Sequence, residues 1–581
     1  MQQEENIDKI AKKRKEWESG TLKESLDRFG IEQSPNKFYT PEDIKDHDFL
    51  KDVGFPGEYP YTAGAYPTSV PGSGPATGGA ISGGGLVRSG GYSGYGIAED
   101  TRDFYKREMV RGRRGGPNLA FDLPTQIGLD SDNPRSRGEV GRTGVVIDTL
   151  ADFEIIYEAF QAEQDLDKIA SSWTINAPAN VILAMYVVLA EKRGIPLNKL
   201  RCSPQNDILK EFIARGTYIF PPKPSLRMIR DTMTFCLKNI PMANLINIGG
   251  YHIREAGATR AQTLAFTLSN TIAYVQTGIN AGLEPDTVIP RLVLYSMSGS
   301  MELLKEIALK RACRRMWAKI MKERFGAKSP KSLRMREAGG GINGYWTATA
   351  QRPLNNLTRA ALGGFAAALA GSIPTVMPAY DESLGLGWST EGMQLSEDAS
   401  RIIQYEVKAT EVIDPFAGSY YMEAITDEIE KEACEIIKKI DEMGGAVAAI
   451  ESGYMQRCIA QSCLEYQKRF EAGQEIVVGV NSFTGEQEIE VLPNRVVPYP
   501  YDPNKLAEAE SRQLEKLARV KNERDEHQVI TALDRLRESV RDDEVNLIYP
   551  LIEAVKAYAT IGEMCGTLKE IFGEYRPSSR L

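Results

Sequence analysis

At 581 residues, 42% hydrophobic and 26% charged, the chain has the composition of an ordinary globular protein, long enough for one large domain and a substantial second region. A net charge of −9 excludes a general nucleic-acid binder, which needs a basic face, while leaving room for local phosphate sites. No stretch reaches the ~20 apolar residues that span a bilayer, and the acidic start Met1-Gln2-Gln3-Glu4-Glu5-Asn6 is unlike a secretory signal, so a cytoplasmic location is expected. Seven cysteines, at 202, 236, 313, 434, 458, 463 and 565, form no Cys-x-x-Cys pair, which predicts reduced, mostly buried thiols.

In chain order, Glu5 to Phe29 reads as a charged helix in which Ile7, Ile10, Trp17, Leu22 and Leu26 are sparse among Lys, Arg and Glu, a pattern that fits a solvated terminal helix and a partner-docking one alike. A Pro- and Gly-rich arm follows, and between Pro71 and Gly94 ten of twenty-four residues are glycine, a composition against regular structure. From Asn118 to about Ala379 short apolar runs alternate with helical periodicity. Eight strands are expected: Leu119 to Leu123, Val145 to Asp148, Ile169 to Asn176, Ser203 to Asp207, Leu245 to Gly250, Val288 to Met297, Leu333 to Glu337 and Ile373 to Met377. Between them Ala179 to Lys192, Gln262 to Ala281 and Glu302 to Arg324 read as helices, and so, beyond the last strand, do Asp427 to Met443, Lys505 to Arg519 and Asn546 to Ile571. Such alternation predicts an α/β protein, a (β/α)8 TIM barrel over 91–430, with an N-terminal helix and glycine-rich arm over 1–90 and a helical C-terminal region over 431–581.

A barrel of this kind carries its chemistry at the C-terminal strand ends. Those ends offer Asp122, Asp148, Thr174 with Asn176, Gln205 with Asn206, His252, Ser298, Ala338 and the turn Tyr380-Asp381-Glu382. The set is mostly neutral and polar. It contains no His-Glu-His metal cluster, no Gly-x-Ser-x-Gly elbow and no phosphate-binding P-loop, and Gly72-Ser73-Gly74 opens no helix after a strand. Hydrogen-bonding groups without an evident nucleophile or metal suggest that a cofactor carries the difficult chemistry.

The run Gln205-Asn206-Asp207-Ile208-Leu209-Lys210-Glu211-Phe212 through Arg215, with Tyr251-His252-Ile253-Arg254-Glu255-Ala256-Gly257-Ala258, resembles the substrate-binding region of the methylmalonyl-CoA mutase family, the adenosylcobalamin-dependent acyl-CoA mutases. Tyr39 to Asp43, Phe55 to Tyr59, Ala120 to Thr125, Asp130 to Asp132 and Asp414 to Ser419 extend the resemblance over about Tyr39 to Asn481. The family grips cobalt with a histidine in an Asp-x-His-x-x-Gly loop, and the histidines of this chain, His47, His252 and His527, stand in none. The resemblance therefore implies a large catalytic subunit, part of a hetero-oligomer, that shares adenosylcobalamin with a small cobalamin-binding subunit. It implies a radical carbon-skeleton rearrangement of an acyl-CoA.

By the resemblance, Arg215 holds a carboxylate on the acyl group, His252 hydrogen-bonds the thioester carbonyl, and Tyr92 lies between substrate and corrin. Gln205 and Asn244 match groups contacting substrate and corrin face, Glu382 the acid holding the adenosyl ribose, and Ser172, Thr174, Arg291 and Lys331 the coenzyme A contacts. Family members acting on monocarboxylic acyl-CoAs lack the arginine, so Arg215 implies a methylmalonyl/succinyl-type substrate; isobutyryl- or 2-hydroxyisobutyryl-type mutases and a non-catalytic assembly subunit are the alternatives. The chain departs from the family pattern at two places. Thr68 leads into Ser69-Val70 and the glycine-rich stretch, which suggests room for a bulkier alkyl or aryl substituent with Arg88 as a second cation, and Pro378 stands where the family has asparagine.

Overall fold

A computed structural model of the protein describes residues 2–30, 32, 37–67, 92–94, 96–110, 115–295, 297–338, 342, 344, 347–371, 377–384, 390–485 and 503–577. Among the described residues seven short strands, all paired in parallel, form two sheets of order β1-β2-β3-β4 and β5-β6-β7: β1 Tyr92–Ser93, β2 Asn118–Ala120, β3 Ser171–Thr174, β4 Cys202–Gln205, β5 Ile246–Gly249, β6 Leu292–Tyr295 and β7 Glu337–Ala338. The amide of Asn244 donates to the Cys202 carbonyl, so the edge of one sheet adjoins the other. Helices Ala179–Lys192, Pro222–Asn239, Arg260–Asn280, Leu303–Glu323 and Asn355–Leu369 follow β3 to β7 in turn, the α/β alternation that the sequence predicts. Among the described residues no helix is long and apolar enough to cross a membrane.

The strands are shorter than the apolar runs suggest, and the reasons are local. Pro285 starts a helical turn, Pro285–Val288, and Pro290 sits in a 3-10 turn, Ile289–Arg291, so β6 begins only at Leu292. Ser329 caps the turn Pro330–Leu333, which delays β7 to Glu337. The run Val145 to Asp148 makes a single bridge, Phe121 to Val145, and β1 at Tyr92 was not foreseen. The eighth expected strand falls largely on 372–376, outside the described residues, as do Arg88 and residues 68–91 of the glycine-rich stretch.

Helix Ala179–Lys192 is apolar on all sides because it is covered on all sides. Residues 179–190 are all buried, and the C-terminal helix Ile548–Lys556 packs on it. The single helix expected over Asn546 to Ile571 is two, Ile548–Lys556 and Ile561–Phe572. Tyr558 takes a left-handed φ of 59°, and Thr560 with Glu563 forms a capping box that restarts the helix. The N-terminal helix runs as Gln2–Trp17, a π-helical stretch Glu18–Leu22 and Lys23–Phe29, ending at Gly30 in the left-handed conformation. All seven cysteines are free; Cys202, Cys236, Cys313 and Cys565 are buried.

Buried charges tie the peripheral segments to this frame. On helix Leu303–Glu323, Arg314 donates to the carbonyls of Tyr61 (3.2 Å), Thr62 (2.9 Å) and Ala370 (2.8 Å), and Arg315 to that of Asp52 (3.0 Å), so two guanidiniums hold the N-terminal arm. From helix Pro503–Glu523, Gln513 donates to Asp148 (2.7 Å) and Asp152 (3.1 Å), while Lys516 pairs with Asp152 (2.8 Å) and Glu99 (3.0 Å). Burial first, then Asp152 and Asp130, push the Asp148 carboxyl well above the usual range. Ionised Asp148 is therefore a growing liability as pH rises, and Gln513 offsets part of it. Gln513→Ala is expected to cost about 1–3 kcal/mol, with a deficit that widens from acidic to neutral pH, read as the thermal unfolding midpoint at each pH. An unchanged midpoint would show that the C-terminal helices do not rely on this contact.

Candidate active site

The residues singled out in the sequence fall at the two ends of the parallel strands. Asn244, Arg291 and Lys331 precede β5, β6 and β7, whereas Gln205 ends β4 and His252 lies just past β5. At ~3.3 Å of rise per residue, a four-residue strand separates these ends by roughly 13 Å.

At the C-terminal end the chain leaves β4 through Gln205-Asn206-Asp207, makes a helical turn Ile208–Lys210 and tightens into a π-helical turn, Glu211–Arg215, closed by Gly216 at φ 90°. This irregular turn buries two consecutive charges. Lys210 Nζ, wholly buried, donates to Asn176 Oδ1 (3.0 Å) and to Glu211. Glu211 is 1% exposed, and its second oxygen accepts from the Thr217 amide (2.9 Å) and hydroxyl (2.6 Å). Burial works to raise the Glu211 pKa, but the Lys210 and Arg215 cations outweigh it and hold the carboxyl below the usual range. Arg215 is partly exposed and reaches Glu211 at 3.5 Å, its one polar contact among the described residues, so most of its five N–H donors are unclaimed.

Asp207 joins this turn to β5. Its carboxylate accepts from the Tyr274 hydroxyl (2.6 Å) and the Gly249 amide (2.8 Å), and Tyr274 in turn accepts from the Leu209 amide (2.8 Å). Gly249 lets His252 come close: a Cβ there would lie 3.0 Å from His252 Nδ1 and 3.5 Å from Lys210 Cε. His252 Nδ1 is buried without a hydrogen bond of normal geometry, which leaves Nε2 as the ring nitrogen open to a ligand. Burial, then the charges of Lys210 and Arg215, push the imidazole well below its usual 6.5. His252 is therefore neutral at physiological pH and can donate to a carbonyl without bringing a full charge into the pocket.

Other buried polar atoms on segments at this end also lack partners. Gln205 Oε1 and both amide atoms of Asn206 are buried without partners. Glu382 opens a 3-10 turn, Glu382–Leu384, with Oε2 buried and unpartnered; burial, then Asp381 and Glu255, raise its carboxyl to about 8. Glu255 ends the helix Tyr251–Glu255 that carries His252, so Glu382 shares their end of the sheet. Tyr92 is the first residue of β1, in register with Asn118.

Along the strands the alternation is unusual for a barrel interior, where bulky Val, Ile and Leu dominate. Ser172 and Thr174 on β3, Ser203 on β4 and Asn247 on β5 are partly accessible, while Ser171, Trp173, Cys202, Pro204, Ile246 and Ile248 on the opposite face are buried. Ser203 donates to Asn247 (2.9 Å) and accepts from Asn244 (3.1 Å). At the N-terminal end Asn244 Oδ1 accepts from Arg336 (2.8 Å), with Arg291 and Arg334 within electrostatic reach of that guanidinium. Arg291 donates to the carbonyls of Pro241 and Ala243, and Lys331 is exposed. The structure thus gathers Gln205, Arg215, His252 and Glu382 at one end, Asn244, Arg291 and Lys331 at the other, and Ser172 and Thr174 between.

Sequence reasoning quoted Lys210 and Glu211 only as part of a motif, gave Asp207 and Thr217 no role and passed over Tyr274, Arg334 and Arg336. A buried Lys-Glu neighbour pair looks in sequence like a solvated helix face, and nothing in the sequence links Tyr274 to Asp207.

Comparison with known proteins identifies the family. The methylmalonyl-CoA mutase family profile matches residues 30–574. A 2-hydroxyisobutanoyl-CoA mutase large subunit from Aquincola tertiaricarbonis is 40% identical, over 98% of this chain and 97% of its own length. The methylmalonyl-CoA mutase of Escherichia coli K12 is 38% identical over 83% of the chain and 65% of its own, and the human mitochondrial methylmalonyl-CoA mutase 37% over 90% and 66%. The chain spans about two thirds of the length of these methylmalonyl-CoA mutases and nearly all of the large subunit. The chain belongs to the methylmalonyl-CoA mutase family and, with it, to the isomerases that act as acyl-CoA mutases.

Proposed function

We propose that this chain is the large, catalytic subunit of an adenosylcobalamin-dependent mutase that rearranges the carbon skeleton of a carboxylated acyl-CoA of the methylmalonyl/succinyl type. The observation that carries the substrate class is Arg215, whose guanidinium keeps most of its donors unclaimed within electrostatic reach of the neutral His252. Arg215 holds the acyl carboxylate through two parallel charge-assisted bonds, His252 donates to the thioester carbonyl, and Gln205 completes the polar contacts.

Ser172, Thr174, Ser203 and Asn247 give the small polar surface that an amide-containing pantetheine arm needs, and Arg291, Lys331, Arg334 and Arg336 give the positive end that suits its phosphates. Asn244, hydrogen-bonded to Arg336, goes with the coenzyme A end in this reading rather than with the corrin face that the resemblance implies. In this reading the two parallel sheets belong to one (β/α)8 barrel, whose walls keep water from the reacting groups.

Adenosylcobalamin, when bound, supplies the organic radical that makes an unactivated C–H bond reactive. Glu382 fits its adenosyl half: protonated near neutrality with a buried unpartnered oxygen, it can donate to or accept from a ribose hydroxyl, while the place of Tyr92 between substrate and corrin rests on the resemblance. The residues present do not fit the cobalt. His47 packs among Asp52, Glu423 and Asp427, His527 begins helix Glu526–Arg541, and His252 faces the substrate pocket. A separate small subunit therefore holds the cobalamin, as the relative named a large subunit supports. A cytoplasmic location fits seven free thiols.

The relative matched over 97% of its length favours a second reading, a 2-hydroxyisobutanoyl-type substrate. An anaerobic assay with the small subunit, adenosylcobalamin and a panel of acyl-CoA thioesters separates them. Turnover of malonyl- and succinyl-type thioesters with methyl, longer alkyl or aryl substituents, above 2-hydroxyisobutanoyl-CoA, is the expected result. The reverse order would overturn the carboxylate assignment of Arg215.

A further inference from the structure

Glu211 is held more firmly than a bystander carboxylate on a helical turn needs to be. One oxygen is fixed by the Thr217 amide and hydroxyl, the other is shared between Lys210 and, at 3.5 Å, Arg215. Both side chains of the Lys210–Glu211 pair are wholly buried. A buried ion pair is costly to desolvate, and an apolar pair of the same volume is often no less stable, so its presence asks for a role other than stability.

We propose that Glu211 is a positioning residue for Arg215, with Lys210 as its counter-ion; this rests on the carboxylated-substrate reading above. An arginine side chain is long and flexible, and a carboxylate locked by a backbone amide gives it a fixed point of reference. The 3.5 Å separation is longer than the ~2.7–2.9 Å of a closed charge-assisted bond, so the guanidinium is steered toward the pocket with its paired N–H groups free. Glu211 alone would also cancel the charge that Arg215 offers a substrate. Lys210 removes that penalty: one buried carboxylate between two cations leaves the group net positive. Asp207, the other carboxylate close by, is committed to Tyr274 and Gly249. Lys210 further lies against Gly249 beside His252, where its charge helps keep the imidazole neutral.

The test is calorimetric binding of two probes, methylmalonyl-CoA and isobutyryl-CoA, whose acyl group carries no charge, to the full chain and to Glu211→Gln, Thr217→Val and Arg215→Ala. Wild type is expected to prefer the carboxylated probe and Arg215→Ala to lose that preference. Glu211→Gln should cut the preference about tenfold and Thr217→Val, which removes one of the two donors to that oxygen and leaves the backbone amide, about threefold, with the probe of uncharged acyl group bound within about twofold of wild type. Distortion of the pocket would instead weaken both probes together. If Glu211→Gln proves unfolded, Thr217→Val alone decides. A preference abolished by Arg215→Ala but intact in the Glu211 and Thr217 variants overturns the positioning role and leaves the substrate reading standing. A wild type without an Arg215-dependent preference overturns both readings, whereas equal weakening of the two probes by Glu211→Gln and Thr217→Val overturns the positioning role alone.

Discussion

Arg215→Ala is expected to lower kcat/KM for a carboxylated acyl-CoA by roughly a hundred- to ten-thousand-fold, the largest loss from any single substitution in this site. Two charge-assisted bonds at ~1.5–3 kcal/mol each amount to ~3–6 kcal/mol, and each ~1.4 kcal/mol is a factor of ten in rate. The guanidinium sits on a turn whose geometry is set by Gly216 and Glu211, and its removal leaves no other described cation there except the buried Lys210, which is already claimed by Asn176 and Glu211. Steady-state kinetics with matched carboxylated and uncharged thioesters checks it. The uncharged thioester should be little affected, and an equal loss for both would show that Arg215 acts on the shape of the pocket and not on the carboxylate.

His252→Ala is expected to lower kcat by about a hundred- to a thousand-fold, the range for removing one hydrogen-bond donor aimed at a reacting carbonyl. The pH dependence carries the sign of the electrostatics. Because burial, Lys210 and Arg215 hold the His252 pKa well below 6.5, the neutral form prevails through the neutral range and protonation enters only on the acid side. Glu382 acts in the opposite sense: its carboxyl, raised to about 8, is protonated below that pH and ionises above it. Activity should thus be level around neutral pH, fall to about half near pH 8 as Glu382 ionises, and lose that alkaline fall in Glu382→Gln. An inflection near 6.5 that vanishes in His252→Ala would mean that Lys210 does not set the imidazole's charge.

Much of the frame was readable from the chain. Ala179–Lys192 matched to the residue because an unbroken apolar run of that length has helical spacing, and helices Arg260–Asn280 and Leu303–Glu323 came within two residues of expectation. The α/β alternation followed from the same periodicity. What failed was extent, since prolines at 285, 290 and 330 convert apolar residues that look like strand into helical turns. At the site, His252, Gln205 and Arg215 were legible because strand ends and a family motif point at them. The network that sets their charge was not. Asp207 and Tyr274 meet across 67 residues, and Lys210 beside Glu211 looks like surface until the π-helical turn folds both inward. The family match paired Gln205 with Asn244, whereas Gln205 ends β4 and Asn244 precedes β5, at opposite ends of the strands.

The central claim is that this chain supplies the substrate pocket and a second chain supplies the cobalamin. The direct measurement is anaerobic turnover by the purified chain with adenosylcobalamin, in the absence and presence of a separately purified small cobalamin-binding subunit, using the preferred thioester of the panel. Turnover that requires both proteins is the predicted result. Turnover by this chain with adenosylcobalamin alone would contradict the account.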